Sequence, residues 1–256
     1  MIQLAPAMPA MDAANLVWTC IVHDFETGAF TLAPKILPIG ALLAGSREGD
    51  SVGCFWPEDL NCSKWLDQQP PKSVIHVAFG SFTIFDKTQF QELALELELS
   101  CRPFLCVVRP DITTYTNAYP EGFQERLANR GQMVGWAPQQ KVLSHPSIAC
   151  FLSHCGWNST MEGVANGAPF LCRPYFADQF LNESYITEVW KVGLKFNRSE
   201  SGIITREEIK NKEEQVLSGE NIVARASEFK ERAMKSAGEG GQSSKNFNNF
   251  IGWMKA

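Results

Sequence analysis

This 256-residue sequence lacks an excess of positive charge, long apolar runs and a basic N-terminus. The 23 basic and 28 acidic residues leave a net charge of −5, which gives no electrostatic footprint for nucleic acid or an anionic membrane. No basic residue precedes Lys35, so the positively charged start of a secretory or transit peptide is absent. The apolar stretch from Ile36 to Ser46 is too short to cross a bilayer, which takes about 20 residues. We therefore expect no nucleic-acid partner and no membrane span.

Cysteine is also sparse, because eight residues fall well below the density of a disulfide scaffold and none forms a CxxC pair. Free thiols are typical of a reducing compartment, which favours a cytoplasmic location. His145, Cys150, His154 and Cys155 lie close together in sequence, but their spacing fits no standard zinc pattern. The sequence also lacks GxGxxG and GxxxxGK[ST] motifs. We expect no metal, and neither a dinucleotide fingerprint nor a P-loop.

The residues that are present indicate a globular α/β fold, with 45% hydrophobic and 11% aromatic side chains. Prolines and glycines break the pattern up to about Pro71, whereas from Ser73 short apolar runs alternate with helical stretches, as in a parallel sheet. The predicted strands are 74–79, 104–108, 132–134, 148–152 and 170–172. The predicted helices are 86–99, 138–143, 159–165, 179–190, 205–217 and 221–237, followed by an amphipathic tail.

The loops after these strands are the expected ligand site, because ligands of open α/β sheets lie beyond the carboxyl ends of the strands. The loop Ser153–Ser159 runs from a strand directly into a helix, whose first backbone N–H groups can hold an anion. His154 adds a donor that can become cationic, which suits a phosphate that gains charge as it leaves. The sequence therefore predicts a phosphate site here.

The 44 residues from Trp136 to Gln179, which contain the run HCGWNS, resemble the plant secondary-product glycosyltransferase signature box of UDP-dependent glycosyltransferases. Similarity to the sugar-nucleotide-binding domain of that family extends from about Ser73 to Trp253. The resemblance implies the C-terminal half of a GT-B type glycosyltransferase, a Rossmann-like parallel sheet flanked by helices. It implies that 1–72 is a remnant of the N-terminal acceptor domain plus linker. Residues 73–256 are then the UDP-sugar-binding domain, and 243–256 a tail helix that packs on the N-terminal domain.

The resemblance also implies a set of residues around a UDP-sugar. These are Trp136 and Ala137 at uracil, Gln139 and Glu162 at the ribose, Ser81, His154, Asn158 and Ser159 at the diphosphate, and Trp157, Asp178 and Gln179 at the sugar. In this family a final Gln, as at Gln179, and a Trp at the position of Trp157 accompany UDP-glucose as donor. No metal or further cofactor is implied.

Ordinary structural roles remain open for several of these residues. Tryptophans such as Trp136 and Trp157 usually lie in the core or anchor a surface. Glu162 lies in a predicted helix, where a solvated charge is the usual role. Asp178 stands where a helix N-cap is expected, and Ser81 follows a glycine, as turn serines often do.

The catalytic base is not expected in this chain. The family activates its acceptor with a His near the start of the N-terminal domain, oriented by an Asp. Here His76 lies in a predicted strand, His145 in a loop and His154 at the donor site, while the surroundings of His23 resemble the segment near the domain linker. The sequence is also abrupt near Cys20 to Val22, as an internal deletion, a splice variant or a gene-model fragment would make it.

Three functions follow from this sequence. The first is a UDP-glucose-dependent glucosyltransferase that transfers glucose with inversion to a hydroxyl of a small plant metabolite such as a flavonoid. The second is a catalytically inactive truncated isoform or fragment that binds UDP-sugar. The third, a nucleotide-sugar epimerase or hydrolase, would need acid and base groups that we do not find. Expected partners are UDP-glucose, a small hydroxylated acceptor and a second copy, through an exposed tail helix bearing Phe247, Phe250 and Trp253.

Overall fold

A sheet of six parallel strands is the centre of this chain. The computed structural model describes residues 17–19, 25, 28, 31, 36–40, 57–84, 86–109, 119–127 and 130–255. The six strands are β3 (Val74–Ala78), β4 (Phe104–Val107), β5 (Gly131–Val134), β6 (Ile148–Ser153), β7 (Phe170–Cys172) and β8 (Gly193–Lys195). Two earlier strands, β1 (Val17–Thr19) and β2 (Ile36–Pro38), pair with each other in a separate parallel ribbon.

Helices connect the strands and extend beyond the last one. Those in the described ranges are α1 (Asn61–Leu66), α2 (Lys87–Leu99), α3 (Phe123–Leu127), α4 (Gln139–Leu143), α5 (Trp157–Asn166), α6 (Gln179–Ser184), α7 (Arg206–Ser218), α8 (Glu220–Ala237) and α9 (Gln242–Met254). Within these ranges no helix is long and apolar enough to span a membrane.

The strand order places a ligand crevice in the middle of the sheet. The order is β5-β4-β3-β6-β7-β8. The chain therefore moves outward from β3 to β5 and then returns to add β6 on the other side of β3. Loops from β3 and β6 diverge at this switch point, where ligands of doubly wound sheets bind. This order confirms the α/β, Rossmann-like prediction.

Both faces of the sheet are buried, which explains the continuous apolar runs of its strands. Phe151 and Leu152 are adjacent in β6 and point to opposite faces, as alternation along a strand requires. Phe151 belongs to the core formed with α5 and α8, and Leu152 to the core formed with α2 and α7.

His76 is a core residue of β3, as its place in a predicted strand suggests. It is fully buried and stacks on Phe151 with 5.1 Å between ring centroids. Its Nδ1 lies 3.3 Å from the carbonyl oxygen of Leu105. Burial lowers the pKa of His76 to about 4, so the imidazole is neutral at pH 7.

The structure adds five elements that the sequence analysis missed and divides another. The missed elements are β1, β2, α1, α3 and β8. The helix predicted over 179–190 is α6 followed by a π-helical turn, Tyr185–Val189, which ends where the Trp190 N–H donates to the Tyr185 carbonyl at 2.7 Å. The Trp190 ring is buried and its indole N–H donates to the Phe25 carbonyl at 3.0 Å. Tertiary packing of Trp190 thus overrides a uniform helix.

Among the described residues before position 41, Phe25 and Pro38 contact the domain. Phe25 packs against Phe229 of α8, with 5.0 Å between ring centroids. In α9, the Asn246 side-chain amide donates to the Pro38 carbonyl at 2.8 Å, so the tail helix lies on β2. His23 and the segment Cys20 to Val22 lie outside the described residues.

Candidate functional site

His154 occupies the switch point, held between two glycine-bearing turns. It directly follows β6, and only 9% of its surface is exposed. A Cβ atom would lie 2.5 Å from its Nε2 at Gly80 and 2.3 Å from it at Gly156. Gly80 also has φ +68°, which L side chains rarely adopt. Only glycines leave room for the imidazole, and Ser81 follows directly in the same turn.

The charge of His154 differs from the expectation. Burial lowers its pKa to about 4, although the Ala78 backbone and the Asp178 carboxylate both favour the charged form. Desolvation therefore outweighs both neighbours and favours the neutral imidazole, which differs from the expectation of a readily cationic donor. A neutral imidazole still donates one N–H, and a bound anion would raise its pKa.

The start of α5 lies beside this imidazole. Cys155 adopts a left-handed φ of 62°, and Gly156 is the N-cap with extended backbone. The chain therefore turns sharply, and the N–H groups of Trp157, Asn158 and Ser159 occupy the first turn, where helix amides lack intrahelical partners. The Asn158 side chain is exposed, whereas Trp157 and Ser159 are buried. The burial of Trp157 is equally what a core role requires.

A second polar cluster joins α4 to α5. The Gln139 side-chain amide donates to the Ser159 hydroxyl at 2.8 Å and to Glu162 Oε2 at 2.5 Å. Gln140 donates to the other oxygen, Oε1, at 3.2 Å. Burial raises the pKa of Glu162, and the two amide hydrogen bonds oppose that rise. Glu162 is therefore not a solvated surface charge: it presents a carboxylate held by donors that a diol could replace.

The loop before α4 carries Trp136, half-buried, and Ala137, buried. The Asp59 N–H donates to the Trp136 carbonyl at 2.9 Å. This hydrogen bond attaches the loop to the segment that precedes the domain. Trp136 lies three residues before Gln139, so its ring and the amide cluster belong to one continuous stretch of chain.

The loop after β7 forms a corner with two polar side chains. Ala177 has a left-handed φ of 54°. Gln179 Oε1 accepts from the N–H groups of Tyr175 at 2.8 Å and Phe176 at 3.1 Å, which leaves the Gln179 Nε2 donors for a ligand. Asp178 is at the N-cap position of α6, but its side chain makes no capping hydrogen bond. The N-cap alternative is therefore not supported by the geometry.

Two residues that the sequence analysis missed hold these loops. Arg109, just beyond β4, donates to the carbonyls of Gly80 at 3.1 Å and Thr83 at 3.3 Å, which supports the turn that contains Ser81. Asn182 donates to the Cys155 carbonyl and to Asp178. Two signals could have identified them. One is a buried-strand run that ends in arginine, and the other is an Asp followed four residues later by an Asn in a helix.

The alternative of a metal site has no structural support among the described residues, where no group of three His, Cys, Asp or Glu side chains could hold an ion. His145 contacts the Ser147 hydroxyl at 2.7 Å and Asp67 at 3.1 Å. The cysteines described, Cys150 and Cys155 included, are free thiols.

Comparisons with known sequences identify similar proteins. The family model described as UDP-glucoronosyl and UDP-glucosyl transferase matches residues 52–237. UDP-glycosyltransferase 83A1 of Arabidopsis thaliana is 41% identical over 292 residues, which covers 100% of this chain and 60% of that protein. The 7-deoxyloganetic acid glucosyltransferase of Catharanthus roseus is 39% identical, over 80% of this chain and 43% of its own length. The chain thus spans about half the length of these curated relatives.

Solved structures show the same architecture. Os79 from O. sativa in complex with UDP superposes with a TM-score of 0.84 at 32% identity, over 91% of this chain and 54% of that one. UGT2 of Phytolacca americana, complexed with UDP-2fluoro-glucose and pterostilbene, gives a TM-score of 0.80 at 34% identity, over 93% of this chain and 54% of that one. These neighbours confirm the expected fold, the C-terminal half of a GT-B type glycosyltransferase.

Proposed function

This chain belongs to the UDP-glucoronosyl and UDP-glucosyl transferase family, and we propose that it holds the UDP-glucose site of a plant glucosyltransferase. The observation that carries the proposal is the bonded cluster of Gln139, Ser159 and Glu162 beside the His154 end of α5. A nucleoside diphosphate needs two sites. One is a carboxylate that accepts hydrogen bonds from paired hydroxyls, and the other is a helix N-terminus that binds an anion.

In the proposed complex each part of the nucleotide meets a different element. Uracil stacks on Trp136 and bonds the backbone of Ala137, while the ribose hydroxyls replace the glutamine amides at Glu162. The diphosphate lies against the first turn of α5, within reach of the hydroxyls of Ser81 and Ser159, with the Asn158 side chain alongside.

Glucose transfer would then be assisted by this site at the diphosphate. As the acceptor oxygen attacks the anomeric carbon in line, with inversion, UDP departs and gains negative charge. The helix N-terminus and the His154 N–H stabilise that charge, and they are already in place before reaction. This chemistry requires no metal. Asp178 and Gln179 bond the glucose hydroxyls, with Trp157 beside them.

We propose that the group that activates the acceptor lies in the rest of the fold, outside this chain. The division into 1–72, an acceptor-domain remnant with linker, and 73–256, the donor domain, assigns no catalytic residue to this chain. The acceptor is proposed to be a small hydroxylated metabolite such as a flavonoid, and the free thiols accord with a cytoplasmic enzyme. A truncated isoform that binds UDP-sugar without transferring it is the second candidate, favoured by the assignment of no catalytic residue to this chain.

Calorimetric titration combined with a transfer assay tests the proposed site and the assignment of the base. UDP and UDP-glucose should bind the full chain, whereas ADP, with a different base, should bind at least tenfold more weakly. Transfer to a flavonol should be undetectable, and hydrolysis of UDP-glucose likewise. Absence of UDP binding would refute the proposed site, and ready turnover would refute the assignment of the base to residues outside this chain.

A further inference from the structure

Asn182 links the two halves of the proposed donor site, and nothing in the sequence analysis assigns it a role. It lies in α6 and is completely buried. Its Nδ2 atom donates to the Cys155 carbonyl at 2.9 Å and to Asp178 Oδ2 at 3.0 Å. One side-chain amide therefore bonds both the turn that begins α5 and the carboxylate at the sugar corner.

The chemistry of these two contacts requires an amide. Both partners are acceptors, so the contacts use both N–H groups of Nδ2 and fix which amide atom is nitrogen. Asn182 Oδ1 is buried and accepts no hydrogen bond within the described residues. An unpaired buried oxygen is destabilising, so fold stability alone does not explain an asparagine at this position. The two N–H donors of Asn182 are the feature that needs an explanation.

The contact with Asp178 decides which carboxylate oxygen can meet a ligand. Oδ2 accepts the hydrogen bond from Asn182, which leaves Oδ1 as the carboxylate oxygen without a bond to Asn182. The Asp178 charge also favours the charged form of His154, so this carboxylate of the sugar corner acts on the residue at the proposed diphosphate site. Without Asn182, Asp178 could rotate, and repulsion from a diphosphate would favour that rotation.

We propose that Asn182 is a positioning residue for sugar recognition: it holds Asp178 with Oδ1 toward the sugar hydroxyls and fixes that orientation to the turn at Cys155. The proposal rests on the proposed function, because it assumes a UDP-sugar at this site. It predicts that Asn182 matters for the sugar and little for UDP, whose base, ribose and phosphates meet other residues.

The test is the ratio of the Kd for UDP-glucose to the Kd for UDP, measured by calorimetry on the full chain. Asn182→Leu, which fills the space without donors, should raise the ratio about tenfold, the loss expected for a bond to a charged group. The Kd for UDP should stay within about threefold. Ser184→Ala is the matched control, because the Ser184 hydroxyl donates to the Phe180 carbonyl within the same helix.

A double-mutant cycle shows whether Asn182 acts through Asp178. In an Asp178→Ala background, Asn182→Leu should leave the ratio unchanged. If Asn182→Leu fails to fold, Asn182→Ala removes both donors without adding bulk and should raise the ratio to a similar extent. Equal weakening of both ligands, or additive effects with Asp178→Ala, would overturn the proposal. Failure of the unsubstituted chain to bind UDP would overturn the proposed function itself.

Discussion

Replacing Gly156 with alanine is the sharpest perturbation of the proposed phosphate site. The new methyl carbon would lie 2.3 Å from His154 Nε2 and 3.1 Å from both neighbouring ring carbons. Carbon and nitrogen atoms in contact normally lie about 3.5 Å apart, so the imidazole must move by about 1 Å. Its movement toward Gly80 is restricted, because the ring already packs so closely on that glycine that a Cβ there would lie only 2.5 Å from the same nitrogen.

The expected consequence is loss of the His154 contact with a bound diphosphate while the fold survives. Gly156 has an ordinary negative φ of −62°, so alanine introduces no backbone strain. A hydrogen bond to a charged group contributes about 1.5–3 kcal/mol, which corresponds to a roughly 10- to 150-fold weaker Kd for UDP. Uridine, which has no phosphate, should bind Gly156→Ala and the unsubstituted chain alike.

Calorimetry with UDP and uridine, together with thermal unfolding, measures these effects. Gly252→Ala is the matched control, because a Cβ at Gly252 meets no atom within 4 Å. In a His154→Ala background there is no ring to displace, so Gly156→Ala should cause no further loss. A folded Gly156→Ala variant that binds UDP as tightly as the unsubstituted chain would refute the placement of the diphosphate.

Three further substitutions test other parts of the site and the core. Trp136→Ala removes the proposed stacking surface, so calorimetry should show UDP binding roughly 5- to 150-fold weaker, with pyrophosphate binding unaltered. Glu162→Gln replaces an acceptor oxygen with a donor, so its affinity loss should be smaller for 2′-deoxy-UDP than for UDP; equal losses would contradict the ribose role. Burial and the facing Glu213 raise the pKa of Glu96 well above its ordinary range. The folded chain therefore keeps a proton that the unfolded chain loses, and stability should fall, by up to roughly 1 kcal/mol per pH unit, as the pH rises above the ordinary pKa of a glutamate. Urea unfolding should show a shallower fall for Glu96→Gln, and identical slopes would count against a protonated Glu96.

The sequence predicted the central strands well because their burial leaves a direct mark. Five of the six strands of the sheet are short apolar runs, and each was predicted to within one residue at either end. Gly193–Lys195 was missed because it contains a single apolar side chain, at Leu194. The change from α6 to the π-helical turn could not be predicted from sequence, because it depends on the contact of Trp190 with the distant Phe25.

The binding roles of the candidate site residues stay a prediction, and the hydrogen bonds among these residues could not be predicted from the sequence. The loop position of His154 follows from strand order, yet its lowered pKa depends on burial that no local pattern reveals. Gln139 and Glu162 are 23 residues apart, and their contact exists only because α4 packs on α5. The tertiary bonds also decide which atoms remain for a ligand: at the corner, Gln179 Oε1 and Asp178 Oδ2 are already engaged. The signature residues therefore define the class of ligand, whereas residues outside the signature, such as Asn182, orient the atoms that would bind it.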